Sequence, residues 1–369
     1  MADSQATSQA TTAGQVPQAG RERPSAAKRS GTFALLLGLA LFITFDLIMF
    51  GAFVRISDAG LGCPDWPGCY GNVTPFGAHE DIQAEALARP QGPVTVFKAW
   101  IEMLHRYAAS ALGLLIICLA WLAWRQRPSQ AGAGAESGPG PSMGLALFTL
   151  FWVILQGMFG MWTVTLRLQP AVVTAHLLGG IALFALLLMQ RNRIAPHPKV
   201  ALDASRYRPW ATAALALLLV QIALGGWVSS NYATLACRDF PLCQGSWWPE
   251  MDLAAGFEIW RPLGMTADGA GLPFPALTAI HYAHRLMAYV VLATIGLLAW
   301  RARRIAGLER VGKWLLLVLL AQLITGLTNI FLDWPMAAAV LHTGGATALA
   351  GGLLLLRFRT RLAAEGPRD

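Results

Sequence analysis

Apolar residues run for roughly 20 positions at a time at eight places along this chain. The runs centre on residues 31–54, 98–124, 143–165, 171–190, 209–229, 276–300, 313–332 and 336–356. Stretches of that length match what a helix needs to cross a bilayer. Between them lie short basic connections and two long Trp-, Pro- and Gly-rich loops, 56–97 and 230–275. The pattern predicts an all-α membrane protein of eight transmembrane helices.

Composition supports this: 55% of the residues are hydrophobic and 13% are charged, far from the balance of a soluble domain. The net charge of +8 would fit a nucleic-acid binder, but its placement argues otherwise. Arg21, Arg23, Lys28 and Arg29 precede the first span, and Arg125 and Arg127 follow the second. Arg191, Arg193, Lys199, Arg206 and Arg208 follow the fourth; Arg301, Arg303, Arg304, Arg310 and Lys313 follow the sixth; Arg357, Arg359, Arg361 and Arg368 end the chain. These are 20 of the 28 Lys and Arg, all on one side. The positive-inside rule makes that side cytoplasmic, with both termini in, in a bacterial inner (plasma) membrane. The charge is a topology signal, and no nucleic-acid partner is expected.

Residues 1–30, rich in Ala, Ser, Thr, Gln and Gly, read as a disordered cytoplasmic tail that does not resemble a signal peptide. The first span is then an uncleaved anchor. Residues 129–142 form a flexible linker. The expected units are an N-terminal half (31–190), a cytoplasmic connection (191–208), a C-terminal half (209–356) and a tail (357–369).

The two halves repeat one another. Gly51, Val54, Cys63, Asp65, Pro67, Cys69 and Gly71 recur 174 residues on as Gly225, Val228, Cys237, Asp239, Pro241, Cys243 and Gly245. His105-Arg106 recurs 179 residues on as His284-Arg285, and Gln156, Gly160, His176 and Gly179 recur 166 on as Gln322, Gly326, His342 and Gly345. Self-similarity of this kind marks a duplicated unit, so the predicted fold is two tandem, pseudo-symmetric four-helix bundles.

Each half owns two intramembrane histidines, one per helix. All four lie at a common depth, roughly 9–14 Å below the outer surface at 1.5 Å per residue. Ionisable groups at such depth are costly and default to function, although a single histidine can also serve as a helix–helix hydrogen bond. Two histidines per half are too few for a tetrahedral zinc or copper site. They suffice for a haem, whose porphyrin supplies the other four ligands. Arg106 and Arg285, near the outer helix ends, could pair with haem propionates or simply reach the interface.

Four cysteines sit in the outer loops as the pairs Cys63/Cys69 and Cys237/Cys243. An oxidising compartment favours a disulfide in each, with a shared zinc site as the alternative. Cys118 reads as a small packing residue in mid-span. His79 and His197 lie in loops and read as solvated. Asp46 interrupts the first span and needs a partner that the sequence does not reveal.

The halves also differ. Glu102 stands three residues before His105, whereas His281 stands three before His284, on the same helix face. A carboxylate there can accept a proton or stabilise charge, or it can be a partner for Arg106. His281 can hydrogen-bond a propionate or replace His284 as ligand; the repeated Arg favours His284. Arg55 becomes Ser229. The first half therefore reads as doing chemistry and the second as holding a permanent cofactor.

The segments GAFVRISDAGLGCPDWPGCYG (51–71), EMLHR (102–106), TAHLLGG (174–180), HYAHR (281–285) and LHTGG (341–345) resemble the haem A synthase family in its cysteine-containing bacterial form, in order across residues 31–356. The resemblance implies conversion of the methyl group of haem O to the formyl of haem A, through hydroxylated intermediates, for cytochrome oxidase. It implies a resident haem b on His284 and His342, a substrate haem facing His105 and His176, and a catalytic Glu102. It also implies a redox or structural role for Cys63 and Cys69. Haem O, membrane lipid, haem O synthase and cytochrome oxidase assembly factors are the partners to expect, with homo-oligomerisation open. Two rivals remain at this point: a di-haem b electron-transfer protein, and a thiol oxidoreductase that would leave the histidines idle.

Overall fold

The computed structural model describes residues 26–126, 140–196 and 198–365. In chain order the described helices are α1 (Ala26–Ile56), α2 (His79–Ala88), α3 (Val96–Arg125), α4 (Met143–Thr165) and α5 (Pro170–Ile194), then α6 (Arg208–Ser230), α7 (Leu253–Gly256), α8 (Phe274–Ala302), α9 (Glu309–Phe331) and α10 (Met336–Glu365). Eight of them are long and apolar enough to cross a membrane, and α2 and α7 are short helices within the two long loops. The chain is a multi-pass, all-α membrane protein; among the described residues there is no β-strand, only isolated bridges.

Local chemistry sets several helix starts. Pro170, Pro209 and Pro275 occupy first-turn positions of α5, α6 and α8, where a missing N–H costs nothing. The Thr95 side chain caps α3 by accepting from the N–H of Lys98. The two largest departures from the hydropathy reading are at the chain's first and last spans. Helix α1 already begins at Ala26 and α10 continues to Glu365, because a helix need not end where the apolar run does. Most of the 129–142 linker and most of the N-terminal tail lie outside the described residues.

Helix α1 packs on α3 and α5, and α4 packs on both α3 and α5, closing one ring of four. In the second half, α6 packs on α8 and α10, and α9 packs on both α8 and α10, closing another. The rings meet through α1, α5, α6 and α10, so the first and last spans of each half form the seam. Met49 of α1 abuts Gly344 of α10 there, and Thr174 of α5 abuts Gly226 of α6. Close approach of this kind through small residues is what holds helices together where no water drives them.

The duplication extends to individual backbone angles. Non-glycine residues with positive φ occur in pairs: Asp58 and Tyr232, Tyr70 and Gln244, Arg167 and Asp333, Leu168 and Trp334. The first two pairs are offset by 174 and the last two by 166, the offsets found in the side-chain motifs.

Candidate haem sites

Each of the four histidines sits six to ten residues inside its helix, about 9–15 Å along the axis. Each ring is packed against a glycine on a neighbouring helix. A Cβ added at Gly225 would lie 3.1 Å from His284 Cε1, and the corresponding approaches are 3.3 Å between Gly51 and His105 Nε2, 3.4 Å between Gly160 and His176 Cε1, and 3.3 Å between Gly326 and His342 Cε1. The four glycines are two repeat-related pairs. A side chain at any of the four would crowd the imidazole it faces. All four histidines are half-buried residues. His105 and His176 stand on α3 and α5 of one ring, and His284 and His342 on α8 and α10 of the other, so the pairs fall within halves.

Ring nitrogens are partly held and partly open. The Gln156 amide nitrogen donates to the His176 carbonyl at 2.5 Å and lies 3.1 Å from His176 Nδ1. Thr325 Oγ1 lies 2.9 Å from His342 Nδ1. Occupying Nδ1 leaves Nε2 to face a metal, the arrangement typical of ligating histidines. On α8, Gln221 Nε2 lies 3.3 Å from His284 Nε2, while His284 Nδ1 is buried with no hydrogen-bond partner. A buried orphan nitrogen is costly unless something binds it. Among the described residues, no three His, Cys, Asp or Glu side chains gather in metal-binding fashion. Two imidazoles per half, seated on glycine, fit a porphyrin iron rather than a bare ion. Phe50 stands edge-on to His105, with ring centroids 5.6 Å apart.

Glu102 is buried, at 4% exposure, and both its oxygens are engaged. Oε1 accepts from Arg106 Nη2 at 2.5 Å, and Oε2 accepts from the N–H of Cys63 at 2.9 Å. The Arg106 guanidinium also donates to the carbonyls of Cys63, Asp65, Pro67 and Gly68. Cys63 and Cys69 are bridged, and the Asp65 carboxylate accepts from the N–H groups of Tyr70 and Gly71 at 2.6 and 2.7 Å. A charged side chain satisfying several loop carbonyls makes strong bonds in a drier environment. Arg106 therefore fastens the disulfide-closed turn over the N-terminal end of α3.

The second half repeats this clamp without the carboxylate. Cys237 and Cys243 are bridged, Arg285 donates to the carbonyls of Cys237, Asp239 and Leu242, and Asp239 accepts from the N–H groups of Gln244 and Gly245. Partial burial alone would raise the Asp239 carboxyl, but the Gly245 and Gln244 N–H bonds outweigh it and hold the group below its ordinary value. His281, in the place of Glu102, lies with Nδ1 3.0 Å from the Ala233 carbonyl and takes a 3.3 Å bond from Arg285 Nε on Nε2. Both ring nitrogens are committed to protein, which leaves His281 no lone pair for a metal.

Several residues fall outside these sites. His79 opens α2 and is exposed; His197 lies outside the described residues. Cys118 is exposed on α3 rather than packed, which costs little because a thiol is as much at ease against lipid tails as against side chains. Asp46 is exposed on α1, and among the described residues no hydrogen bond or ion pair reaches it. Thr325 has no counterpart in the first half and gave no signal in the sequence. Gln156 did recur, as Gln322, but its bond to His176 needed coordinates.

Comparison with known proteins fits this geometry. Residues 34–354 match the COX15-CtaA family, described as cytochrome oxidase assembly protein. The chain is similar to the haem A synthase of Shewanella oneidensis, with 39% identity over 326 residues covering 88% of this chain and 95% of that protein. It is also similar to the haem A synthases of Symbiobacterium thermophilum (29% identity, 85% of this chain and 90% of the relative) and Allorhizobium ampelinum (26%, 93% and 94%). The family match covers nearly all of both helix rings, and the chain belongs to the COX15-CtaA family of cytochrome oxidase assembly proteins.

Proposed function

We propose that the protein is a haem A synthase, oxidising the methyl group of haem O to the formyl group of haem A for cytochrome oxidase. The observation that carries the reading is the doubled histidine pair, each ring seated on a glycine, in a chain of this family. His284 and His342 hold a resident haem b, and His105 and His176 receive the substrate haem O. When bound, the resident haem supplies one-electron redox capacity beside the substrate site.

The residues of the chain divide the remaining work. Glu102 lies one helical turn outward of His105 and is the group placed to take a proton as the methyl is oxidised. Because Oε1 and Oε2 are both engaged, protonation releases either Arg106 or the Cys63 N–H. Proton transfer is thereby coupled to the loop that caps the site. His281, neutral and bonded on both nitrogens, offers no such acceptor to the second haem, which suits a cofactor that is held and not altered. Arg106 and Arg285 stand at the outer level of the two sites as candidate propionate partners, beyond the carbonyls they already hold. The basic end of the bundle, with both termini, faces the cytoplasm. Haem O synthase and cytochrome oxidase assembly factors are the neighbours this activity requires.

The test is conversion by the purified protein. Haem O added to detergent-solubilised protein, with dioxygen and an electron acceptor supplied to take the four electrons that the methyl group loses, should be recovered, after extraction and chromatography, as haem A. Two tightly held haems b and unaltered haem O would instead make the protein a di-haem electron carrier.

A further inference from the structure

At the basic end of the bundle an open surface groove runs between α6 and α10, lined by Arg208, Pro209, Thr212, Ala213, Ala216 and Arg357. One of its two cations, Arg357, is held in place by a hydrogen bond to Thr212, whose hydroxyl is in turn tied to the α6 backbone. Arg357 Nε donates to Thr212 Oγ1 at 2.9 Å, and Thr212 Oγ1 donates to the Arg208 carbonyl at 3.0 Å. Thr212, Ala213 and Ala216 are exposed on the outward face of α6. Among the described residues no carboxylate lies within ion-pair distance of Arg208 or Arg357.

Two guanidiniums without counter-charge above a wall of small apolar residues describe a particular ligand. It carries a phosphodiester for the arginines and a hydrocarbon chain for Ala213 and Ala216. Basic pockets between helices at this level of the membrane take anionic lipid headgroups, and the forked donors of Arg suit phosphate oxygens. The first half supplies an internal control. Arg191 stands where Arg357 does, but Ala34 and Gly38 replace Arg208 and Thr212. The cradle belongs to the second half alone.

We propose that this groove binds one anionic phospholipid, its headgroup between Arg208 and Arg357 and an acyl chain along Ala213 and Ala216. The site is separate from the histidine pairs and does not depend on what they hold.

Native mass spectrometry of the full-length protein in detergent, titrated with phosphatidylglycerol, tests it. The intact protein should retain one phosphatidylglycerol more tightly than phosphatidylcholine. Arg208→Gln, which changes an exposed side chain, should weaken that retention about fivefold, and Arg208→Gln with Arg357→Gln by more, at about 1 kcal/mol per cation. Arg191→Gln should leave it unchanged. Equal retention of phosphatidylglycerol by Arg208→Gln and the unmodified protein would overturn the proposal. So would an equal loss in Arg191→Gln, equal retention of phosphatidylcholine, or displacement of the lipid by millimolar inorganic phosphate.

Discussion

Arg55 donates from Nη2 to the backbone carbonyl of Ser229, at 2.8 Å, and Ser229 is the residue that occupies the place of Arg55 in the second repeat. The adjacent contact has the same character. Tyr232 donates to Asp58 at 2.7 Å, the two again standing 174 residues apart, and the Arg55 guanidinium lies 4.0 Å from the Tyr232 ring centroid. Residues related by the duplication meet only where its pseudo-two-fold axis passes. The seam between the halves therefore runs through Arg55, which also caps the last carbonyls of α6 with positive charge.

Replacing Arg55 should loosen this seam. Arg55→Ala removes charge-assisted bonds whose loss is typically about 1.5–3 kcal/mol, and should lower the thermal unfolding midpoint of the purified protein. Arg55→Lys should recover part of the loss. An unchanged midpoint in Arg55→Ala would deny the residue this structural role.

The seating glycines allow the two sites to be disabled separately. A valine at Gly225 or Gly326 places methyl groups where His284 or His342 now rests, and should abolish the resident haem b spectrum. A valine at Gly51 or Gly160 should leave that spectrum intact and stop haem A formation. The same loss in all four variants would mean that the glycines support packing in general rather than particular histidines.

Much of this was legible beforehand, for physical reasons that differ by feature. The eight spans were readable because lipid demands long apolar runs, and the histidines because a titratable group at that depth stands out against such runs. The recurrence of Gly51, Gly160, Gly225 and Gly326 was visible too, but that each meets a histidine ring depends on helix rotation, which hydropathy does not encode. Arg106 and Arg285 were harder still. Their acceptors are backbone carbonyls, which every residue type carries, so no side-chain signature announces the clamp. His281 remained ambiguous in the sequence because its fate turns on Ala233, a residue with no chemistry of its own.

The Arg106 clamp predicts a local redox consequence. In Arg106→Gln the first loop loses its bonds to Cys63, Asp65, Pro67 and Gly68. Mild reduction followed by alkylation and peptide mapping should then label Cys63 and Cys69 faster than in the unmodified protein. Labelling of Cys237 and Cys243, clamped by Arg285, should not change. Equal labelling rates at Cys63 with and without Arg106 would contradict the clamp.

Glu102→Gln preserves shape and the acceptor for the Cys63 N–H while removing the charge. The variant should fold, keep its resident haem b and bind haem O, yet stall at haem O or a hydroxylated intermediate. If the carboxylate serves only to pair with Arg106, folded protein or both haems should be lost together. Haem A output near normal from well-folded Glu102→Gln would remove Glu102 from the chemistry.

The division of labour between the two histidine pairs is tested most directly by extracting and chromatographing the haems from purified His105→Ala and His342→Ala proteins. The account predicts that His342→Ala has lost haem b, because bis-imidazole ligation fails with either axial ligand. His105→Ala should retain haem b and yield no haem A. Haem b retained in full by His342→Ala, or haem A formed normally by His105→Ala, would contradict it.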